Sequence, residues 1–215
     1  MKSIEEERRF ATRIGKIFLQ ARSDKDVDPQ DRIMNSVEEL CILIDQSKKT
    51  GRFIVLTQGT FDMIHIGHAR YLREAKKNGD LLIVGLDDDV KARSRKGENR
   101  PVVPEGERAE MLGHLRYVDA VVYKHAEDPR WDLVKLVRPN TLIAVEGTYS
   151  ESELIELGEL CDKVVVLPRQ AETSTSNKVR KLVLDGAETL TRILREKIPE
   201  FVESVYHELK RENGV

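Results

Sequence analysis

The chain has 215 residues, of which 40% are hydrophobic and 34% charged, a composition ordinary for a globular protein with one core plus extensions. A formal net charge of −2 gives no overall attraction for nucleic acid or an anionic membrane, so any phosphate binding has to be local. Charged first residues, short apolar runs and two cysteines without metal-ligand spacing argue against a secreted, membrane-spanning or zinc-stabilised protein. We expect a cytoplasmic protein with no nucleic-acid or membrane partner.

The first zone, residues 1–50, predicts a helical extension. Apolar residues recur at helical spacing between Phe10 and Ala21. A second helix is predicted to start at Asp28–Pro29, an N-cap followed by proline at the first helical position. Its buried stripe would comprise Ile33, Val37, Leu40, Cys41 and Ile44. The polar stretch 46–51 then predicts a linker.

The middle zone, residues 51–185, alternates strand and helix patterns. Strands are predicted at 53–56, 81–86, 120–122, 141–145 and 163–167. Helices are predicted after the turn at Gln58-Gly59 through Ala69 and Leu72 to Lys77, after Pro104 with Met111, Leu112 and Leu115 facing inward, and at 131–137 and 152–160. This alternation predicts an α/β fold with a doubly wound, Rossmann-like parallel sheet. Ligands of such sheets bind at the carboxyl ends of strands, here after Leu56, Leu86 and Val145.

The third zone, residues 186–215, predicts a second helical extension. Leu190, Leu194, Ile198 and Val202 recur at helical spacing, and Pro199 should kink or divide the helix. Packing on the core is the simplest role for both terminal extensions. An oligomer interface, a lid or an acceptor-specific cap are alternatives, so a homo-oligomer is possible.

The segment from Gly59 to His68, between the first predicted strand of the middle zone and its helix, has the properties of an anion site. Gly59 permits a tight turn and close approach of a ligand to the backbone. The following helix directs its N–H groups and its positive dipole end toward that turn. His65 and His68 share one face of the helix start, and Gly67 between them leaves room for a substrate. Two imidazoles that donate to a phosphate would stabilise charge in a transition state.

A structural or metal-binding role for the two histidines is the alternative. A zinc site needs more ligands than this pair, and His114, His125 and His207 show no matching spacing. We therefore predict no protein metal site, and we favour phosphate binding because the strand, turn and helix context agrees with the motif.

The run Gly59-Thr60-Phe61-Asp62 followed by His65-x-Gly67-His68 resembles the signature of the cytidylyltransferase-like nucleotidyltransferase superfamily. The resemblance covers most of residues 53–184. It implies that His65 and His68 contact the phosphates of a nucleoside triphosphate (NTP) and stabilise the in-line transition state. It places Thr60 and the nearby backbone on phosphate and assigns Gly59, Phe61, Asp62 and Gly67 to the nucleotide site.

A second segment, residues 89–108, is similar to the corresponding run of heptose 1-phosphate adenylyltransferases through Asp89, Arg93, Lys96-Gly97, Arg100-Pro101 and Arg108. Five cations between Lys91 and Arg100 predict a mobile basic loop that covers phosphates, or alternatively a solvated charge run. Arg108 could also be an ion-pair partner of the glutamates around it. The resemblance implies substrate-phosphate roles for Lys96 and Arg108 and a nucleotide-site role for Asp89.

The third segment, residues 173–176, can cap a helix or hold phosphate at its N-terminus. The resemblance assigns Ser174, Thr175 and Ser176 to the terminal phosphates of the NTP. Gly147, assigned to the nucleotide site, lies in Val145-Glu146-Gly147-Thr148, where heptose adenylyltransferases have Lys-Gly-Gly-Asp. Residues 165–169 look closer to glycerol-3-phosphate cytidylyltransferases, so the choice between ATP and CTP stays open.

The resemblance implies an enzyme that moves a nucleoside monophosphate from Mg²⁺-bound ATP or CTP onto a small phosphorylated acceptor. A sugar 1-phosphate, an alditol phosphate or another phosphomonoester, even a flavin nucleotide, would suit it. One alternative is a nucleotide-binding regulator that has lost catalysis. The other is a class I aminoacyl-tRNA synthetase, which shares His-Ile-Gly-His, but neither the length nor the charge of this chain provides a tRNA-binding apparatus.

Overall fold

The computed structural model describes residues 12–17, 28–170 and 175–212. The chain divides into two compact units, residues 1–172 and 173–215, which are described separately.

The first unit is built on one parallel sheet of six strands, ordered β1-β4-β3-β2-β5-β6. The strands are β1 (Ile33–Met34), β2 (Ile54–Gly59), β3 (Leu81–Asp87), β4 (Ala120–Lys124), β5 (Thr141–Val145) and β6 (Lys163–Leu167). The expected doubly wound α/β fold is confirmed. The inner strands β2 and β3 are almost continuously apolar because helices cover both of their faces.

Helices cover both faces of the sheet. They are α1 (residues 12–17), a 3₁₀ helix (Pro29–Arg32), α2 (Val37–Lys49), α3 (Ile66–Lys76), α4 (Asp89–Lys96), α5 (Glu105–Gly113), α6 (Asp132–Val137) and α7 (Glu151–Gly158). Core residues of α1, α2, α6 and α7 cluster with Ile54 and Leu56 on one face. Core residues of α3 and α5 cluster with Val55 on the other. Alternation along β2 therefore sends its side chains to two separate cores.

The strand order places the topological switch point beside β2. From β2 the chain builds outward through β3 to β4, and then returns to place β5 on the opposite side of β2. Open α/β sheets bind ligands at the carboxyl ends of the strands where the winding reverses. The loop that follows β2, residues 60–65, lies at this position.

The N-terminal region differs from the sequence prediction in three ways. Asp28 caps a short 3₁₀ helix, and Ile33 lies in β1 at the sheet edge. The following helix starts one residue after Ser36, whose side chain accepts from the Glu39 N–H, and leaves Val37 60% exposed. The predicted linker at 46–51 was also wrong, because α2 runs to Lys49.

Two further predictions in the middle zone need correction. The basic segment is not a loop, because most of it forms α4, which Asp88 caps by accepting from the Lys91 N–H. Met111 is 48% exposed, whereas its neighbour Leu112 is buried as expected. The strands predicted at 141–145 and 163–167 are confirmed, and β2 spans Ile54–Gly59 where the sequence predicted 53–56.

The second unit contains one long helix, α8 (Thr175–Glu212), which runs through Pro199 without dividing. None of the described helices combines the length and the apolarity needed to cross a membrane. The domain boundaries expected at residues 50/51 and 185/186 stay predictions.

Candidate active site

The loop after β2 has an unusual backbone that its surroundings hold in place. Phe61 and Met63 have φ angles of 47° and 46°, in the left-handed region that non-glycine residues seldom occupy. The Phe61 ring is buried, and a Cβ added at Gly59 would lie 3.1 Å from it. Gly59 therefore makes room for a neighbouring ring. Such strain costs about 1–3 kcal/mol per residue and persists only where contacts on both sides enforce it.

Asp62 supplies one of these contacts. Its buried carboxylate accepts from the Arg100 guanidinium at 2.8 Å and from the backbone N–H groups of Val102 and Val103 at 3.1 Å. Charge-assisted hydrogen bonds of this kind are among the stronger ones in proteins. Asp62 thus fastens the β2 loop to the segment between α4 and α5. Its assignment to the nucleotide site stays a prediction.

Arg108 supplies the other contact, from inside the protein. The residue is 1% exposed, and its guanidinium donates to the carbonyl oxygens of Thr60, Asp87 and Val103 and to the carboxylate of Asp89. Arg108 does form an ion pair, but its partner is Asp89 and not one of the neighbouring glutamates that the sequence suggested. Arg108 therefore joins the loops after β2 and β3 and the start of α4, and its assignment to substrate phosphate stays a prediction.

The two motif histidines cap α3 and lie against one another. His65 is the N-cap: its Nδ1 accepts from the Gly67 N–H at 3.0 Å, and the His65 N–H points to Nδ1 of His68 at 3.4 Å. The ring centroids are 4.1 Å apart. A neutral imidazole that accepts at Nδ1 carries its proton on Nε2. Helix capping therefore gives both rings the tautomer that donates from Nε2.

A buried carboxylate, Asp87, lies at the end of β3. It accepts from Lys124 Nζ at 3.1 Å, from Arg95 Nη1 at 2.8 Å and from the Thr60 hydroxyl at 3.1 Å. Burial raises the pKa of Asp87, but Lys124 and Arg95 outweigh it and hold that pKa below its ordinary value. The Thr60 hydroxyl is thus bonded to Asp87, which differs from the phosphate contact that the family resemblance implies.

Lys96, at the end of α4, stands among charges of both signs. Desolvation lowers the pKa of its ammonium, and the nearby cations Arg100 and Arg95 lower it further. Asp87 and Asp62 act in the opposite direction. The structure therefore brings Lys96 close to the same carboxylates that hold the β2 and β3 loops.

The remaining predicted site residues are less fully placed. Gly147 follows β5 and so lies in the third predicted loop. Its φ angle is +75°, and a Cβ added to it would meet nothing within 4 Å. Thr175 and Ser176 begin α8 in the second unit, and Ser174 lies outside the described residues. Their assignments stay predictions.

Sequence reasoning missed Asp87 and Lys124 at this edge of the sheet. It included Arg95 in the basic segment but did not place it beside them. A charged residue at the end of an otherwise apolar strand was the available signal, in Asp87 of β3 and Lys124 of β4. Their pairing could not be read from the sequence because they are 37 residues apart and meet only through strand register.

Comparisons with known proteins give a family and a fold. The family model described as cytidylyltransferase-like matches residues 56–204. The bifunctional protein HldE of Campylobacter jejuni subsp. jejuni serotype O:2 is 38% identical over 165 residues, which cover 77% of this chain and 34% of that protein. HldE of Sulfurimonas denitrificans is 32% identical over 195 residues, which cover 83% of this chain and 40% of that protein. The chain thus spans about a third of the length of the curated relatives it matches.

Among solved structures, a pantoate-beta-alanine ligase from Francisella tularensis, complexed with beta-gamma ATP and beta-alanine, superposes with a TM-score of 0.51. The sequence identity is 17%, and the match covers 67% of this chain and 68% of the ligase. At this identity the likeness bears on the fold alone.

Proposed function

The chain belongs to the cytidylyltransferase-like family of nucleotidyltransferases, and from that premise we propose that it transfers a nucleoside monophosphate from ATP or CTP to a sugar phosphate or similar acceptor. Its likeness to the HldE proteins and the resemblance of residues 89–108 to heptose 1-phosphate adenylyltransferases favour a sugar phosphate and ATP. The observation that carries the proposal is the histidine pair at the start of α3, held at Nδ1 by helix capping.

In the proposed reaction a phosphate oxygen of the acceptor attacks the α-phosphorus of the NTP. The new P–O bond forms as the bond between the α-phosphorus and the bridging oxygen breaks, and pyrophosphate leaves with that electron pair. No nucleophilic side chain is needed. The Nε2–H groups of His65 and His68 would donate to phosphate oxygens whose charge increases in the transition state. Lys96 would stabilise the same charge as an ammonium.

Mg²⁺ enters this scheme as part of the Mg²⁺–NTP substrate, where it would neutralise and orient the phosphates. Asp62, within the β2 loop, and Asp87, bonded to Thr60 of that loop, already accept from cations and N–H groups. In the part of the chain that the structure describes, no group of three or more histidine, cysteine or carboxylate residues forms a metal site. These observations support a metal held chiefly by the nucleotide.

The proposal is tested by pyrophosphate release with ATP and CTP separately against heptose, mannose and glycerol phosphates. We expect release with one nucleotide and one acceptor class. NTP binding without release from any acceptor would instead support the nucleotide-binding regulator.

A further inference from the structure

A polar cluster on the face of the sheet that carries α6 and α7 is not used by the histidine mechanism. Asp87 is fully buried, and Lys124 and Arg95 bind its two carboxylate oxygens. The Lys124 side chain is 14% exposed and that of Arg95 47%, so the cluster runs from the interior to the surface. Its two cations exceed its one carboxylate, which favours an anionic ligand.

Gln58 adds a donor to this cluster. It lies near the end of β2, and its Nε2 is shielded from solvent without a hydrogen-bond partner among the described residues. A Cβ built on Gly85 would lie 2.9 Å from Lys124 Cδ and 3.2 Å from Gln58 Cγ. The two side chains therefore converge over the glycine of the strand between them. Buried polar groups are nearly always hydrogen-bonded, so an unpaired amide here points to a polar ligand.

Aromatic residues lie on the same face. Tyr149 and Trp131 pack against its core with ring centroids 5.5 Å apart. Tyr149 is also within electrostatic range of Arg95 and Asp87. The Thr60 hydroxyl, bonded to Asp87, joins the cluster to the loop that carries the histidines.

We propose that Gln58, Lys124 and Arg95, arranged around Asp87, form the subsite that selects the acceptor as a polyhydroxylated phosphomonoester. This inference rests on the proposed function and deepens it. The cations attract the negative charge of the acceptor, and the Gln58 amide donates to one of its hydroxyl oxygens. A phosphomonoester without hydroxyls beside its phosphate, such as phenyl phosphate, would leave the Gln58 donor desolvated and unpaired, so the subsite selects against it.

The variant Gln58→Leu tests the subsite, with Gln46→Leu on the exposed side of α2 as the matched control. With mannose 1-phosphate as the probe, we expect the acceptor KM of Gln58→Leu to rise about tenfold or more, since losing one hydrogen bond to a substrate has effects of this size. The KM for the NTP should stay within about twofold. The Tm should not fall, because leucine removes an unpaired buried amide. An unchanged acceptor KM, or equal rises for both substrates, would overturn the subsite.

Direct binding separates this inference from the proposed function. Calorimetry would measure mannose 1-phosphate, glycerol 3-phosphate and phenyl phosphate, which has no hydroxyl groups, in the presence of a non-hydrolysable NTP analogue, so it needs no turnover. If no acceptor releases pyrophosphate, yet mannose 1-phosphate binds the wild type and Gln46→Leu more tightly than Gln58→Leu, the subsite stands and the proposed reaction fails. Equal binding to all three proteins, preference for phenyl phosphate, or no binding of either polyol phosphate to the wild type would overturn the subsite.

Discussion

At the scale of single residues, helix capping and the proposed catalysis use the same two imidazole rings through different nitrogen atoms. The Nδ1 atom of His65 accepts a hydrogen bond from the Gly67 N–H. The Nδ1 atom of His68 faces the backbone N–H of His65. The two N–H groups would otherwise lack a partner in the first turn of α3. Because capping takes up Nδ1, the proton of each ring stays on Nε2. Local structure thus sets the tautomer that the proposed chemistry needs.

The variant His65→Asn separates the two roles of His65. Asparagine is a good N-cap, so the Tm should change little, whereas the Nε2 donor is lost. We expect kcat to fall by about 10²–10³, the usual loss when one donor to a developing negative charge is removed. Steady-state pyrophosphate release and thermal unfolding measure the two effects.

His65→Ala is the matched comparison, because it removes both the cap and the donor. It should lose activity to a similar extent and also lose about 0.5–2 kcal/mol of unfolding free energy. Full activity in His65→Asn would show that the imidazole serves only as a cap.

We expect deprotonation of the Lys96 ammonium to set the basic limb of the pH–rate profile. Desolvation and then Arg100 and Arg95 lower the pKa of its ammonium, so its charge is present at low pH and is lost at a lower pH than for an ordinary lysine. We expect kcat/KM to fall as the pH rises through that lowered pKa. Lys96→Arg keeps its charge, so its basic limb should move to higher pH. Identical basic limbs in the two proteins would exclude Lys96 as the titrating group.

At the scale of elements, the N-terminal segment belongs structurally to the sheet. Arg32 donates to the carbonyl oxygens of Gly113, Leu115 and Val118, around the end of α5. Strand β1 pairs with β4 directly after these contacts. The segment therefore fixes the end of α5, the helix that carries Arg108 toward the active-site loops.

Gly113→Ala tests this docking. A Cβ at Gly113 would lie 2.6 Å from the backbone oxygen of Pro29, so the 3₁₀ helix would have to move. We expect a loss of about 1–3 kcal/mol in unfolding free energy, as for other overpacked sites. Denaturant unfolding measures it.

Gly106→Ala, in the same helix, is the control, because nothing lies within 4 Å of its added Cβ. It should leave stability unchanged or raise it by up to about 1 kcal/mol. Equal stabilities for the two variants would contradict the docking of residues 29–32 on α5.

The elements themselves were largely predictable from the sequence. Buried parallel strands read as apolar runs, and β5 and β6 have the predicted bounds. The start of α2 was not predicted, although Ser36-x-x-Glu39 has the local sequence pattern of a capping box and was the available signal. The exposed position of Met111 escaped prediction because it depends on which side of α5 meets the sheet.

The candidate site was predictable only where its residues are close in sequence. The contact between His65 and His68 follows from helical spacing. The contacts of Arg108 with Thr60 and of Lys124 with Asp87 span 48 and 37 residues. Strand order and register create these contacts, and neither is visible in a single local pattern.

At the scale of the whole molecule, the sheet presents two different surfaces at its switch point. The histidine pair starts α3, which covers one face, and the cluster of Gln58, Asp87 and Lys124 lies on the other. Thr60 connects the two through its hydroxyl bond to Asp87. Nucleotide and acceptor are thus expected to meet at the end of β2.

A chain truncated after Glu172 tests whether residues 173–215 are needed for activity. Residues 1–172 form their own compact unit, so we expect cooperative unfolding with a Tm close to that of the full chain. Pyrophosphate release should be lost, because truncation removes the proposed phosphate contacts of Ser174, Thr175 and Ser176. The triple alanine variant of these residues in the full chain should lose activity as well. Retained activity in the truncated chain would contradict their assignment.

The central claim is nucleotidyl transfer to a sugar phosphate or related acceptor by the histidine pair. The most direct measurement is pyrophosphate release with each of ATP and CTP across the panel of heptose, mannose and glycerol phosphates, with His65→Asn beside the wild type. We predict release that requires one nucleotide and one acceptor class and that falls by about 10²–10³ in the variant. Release that is independent of acceptor, or equal in the two proteins, would contradict the claim.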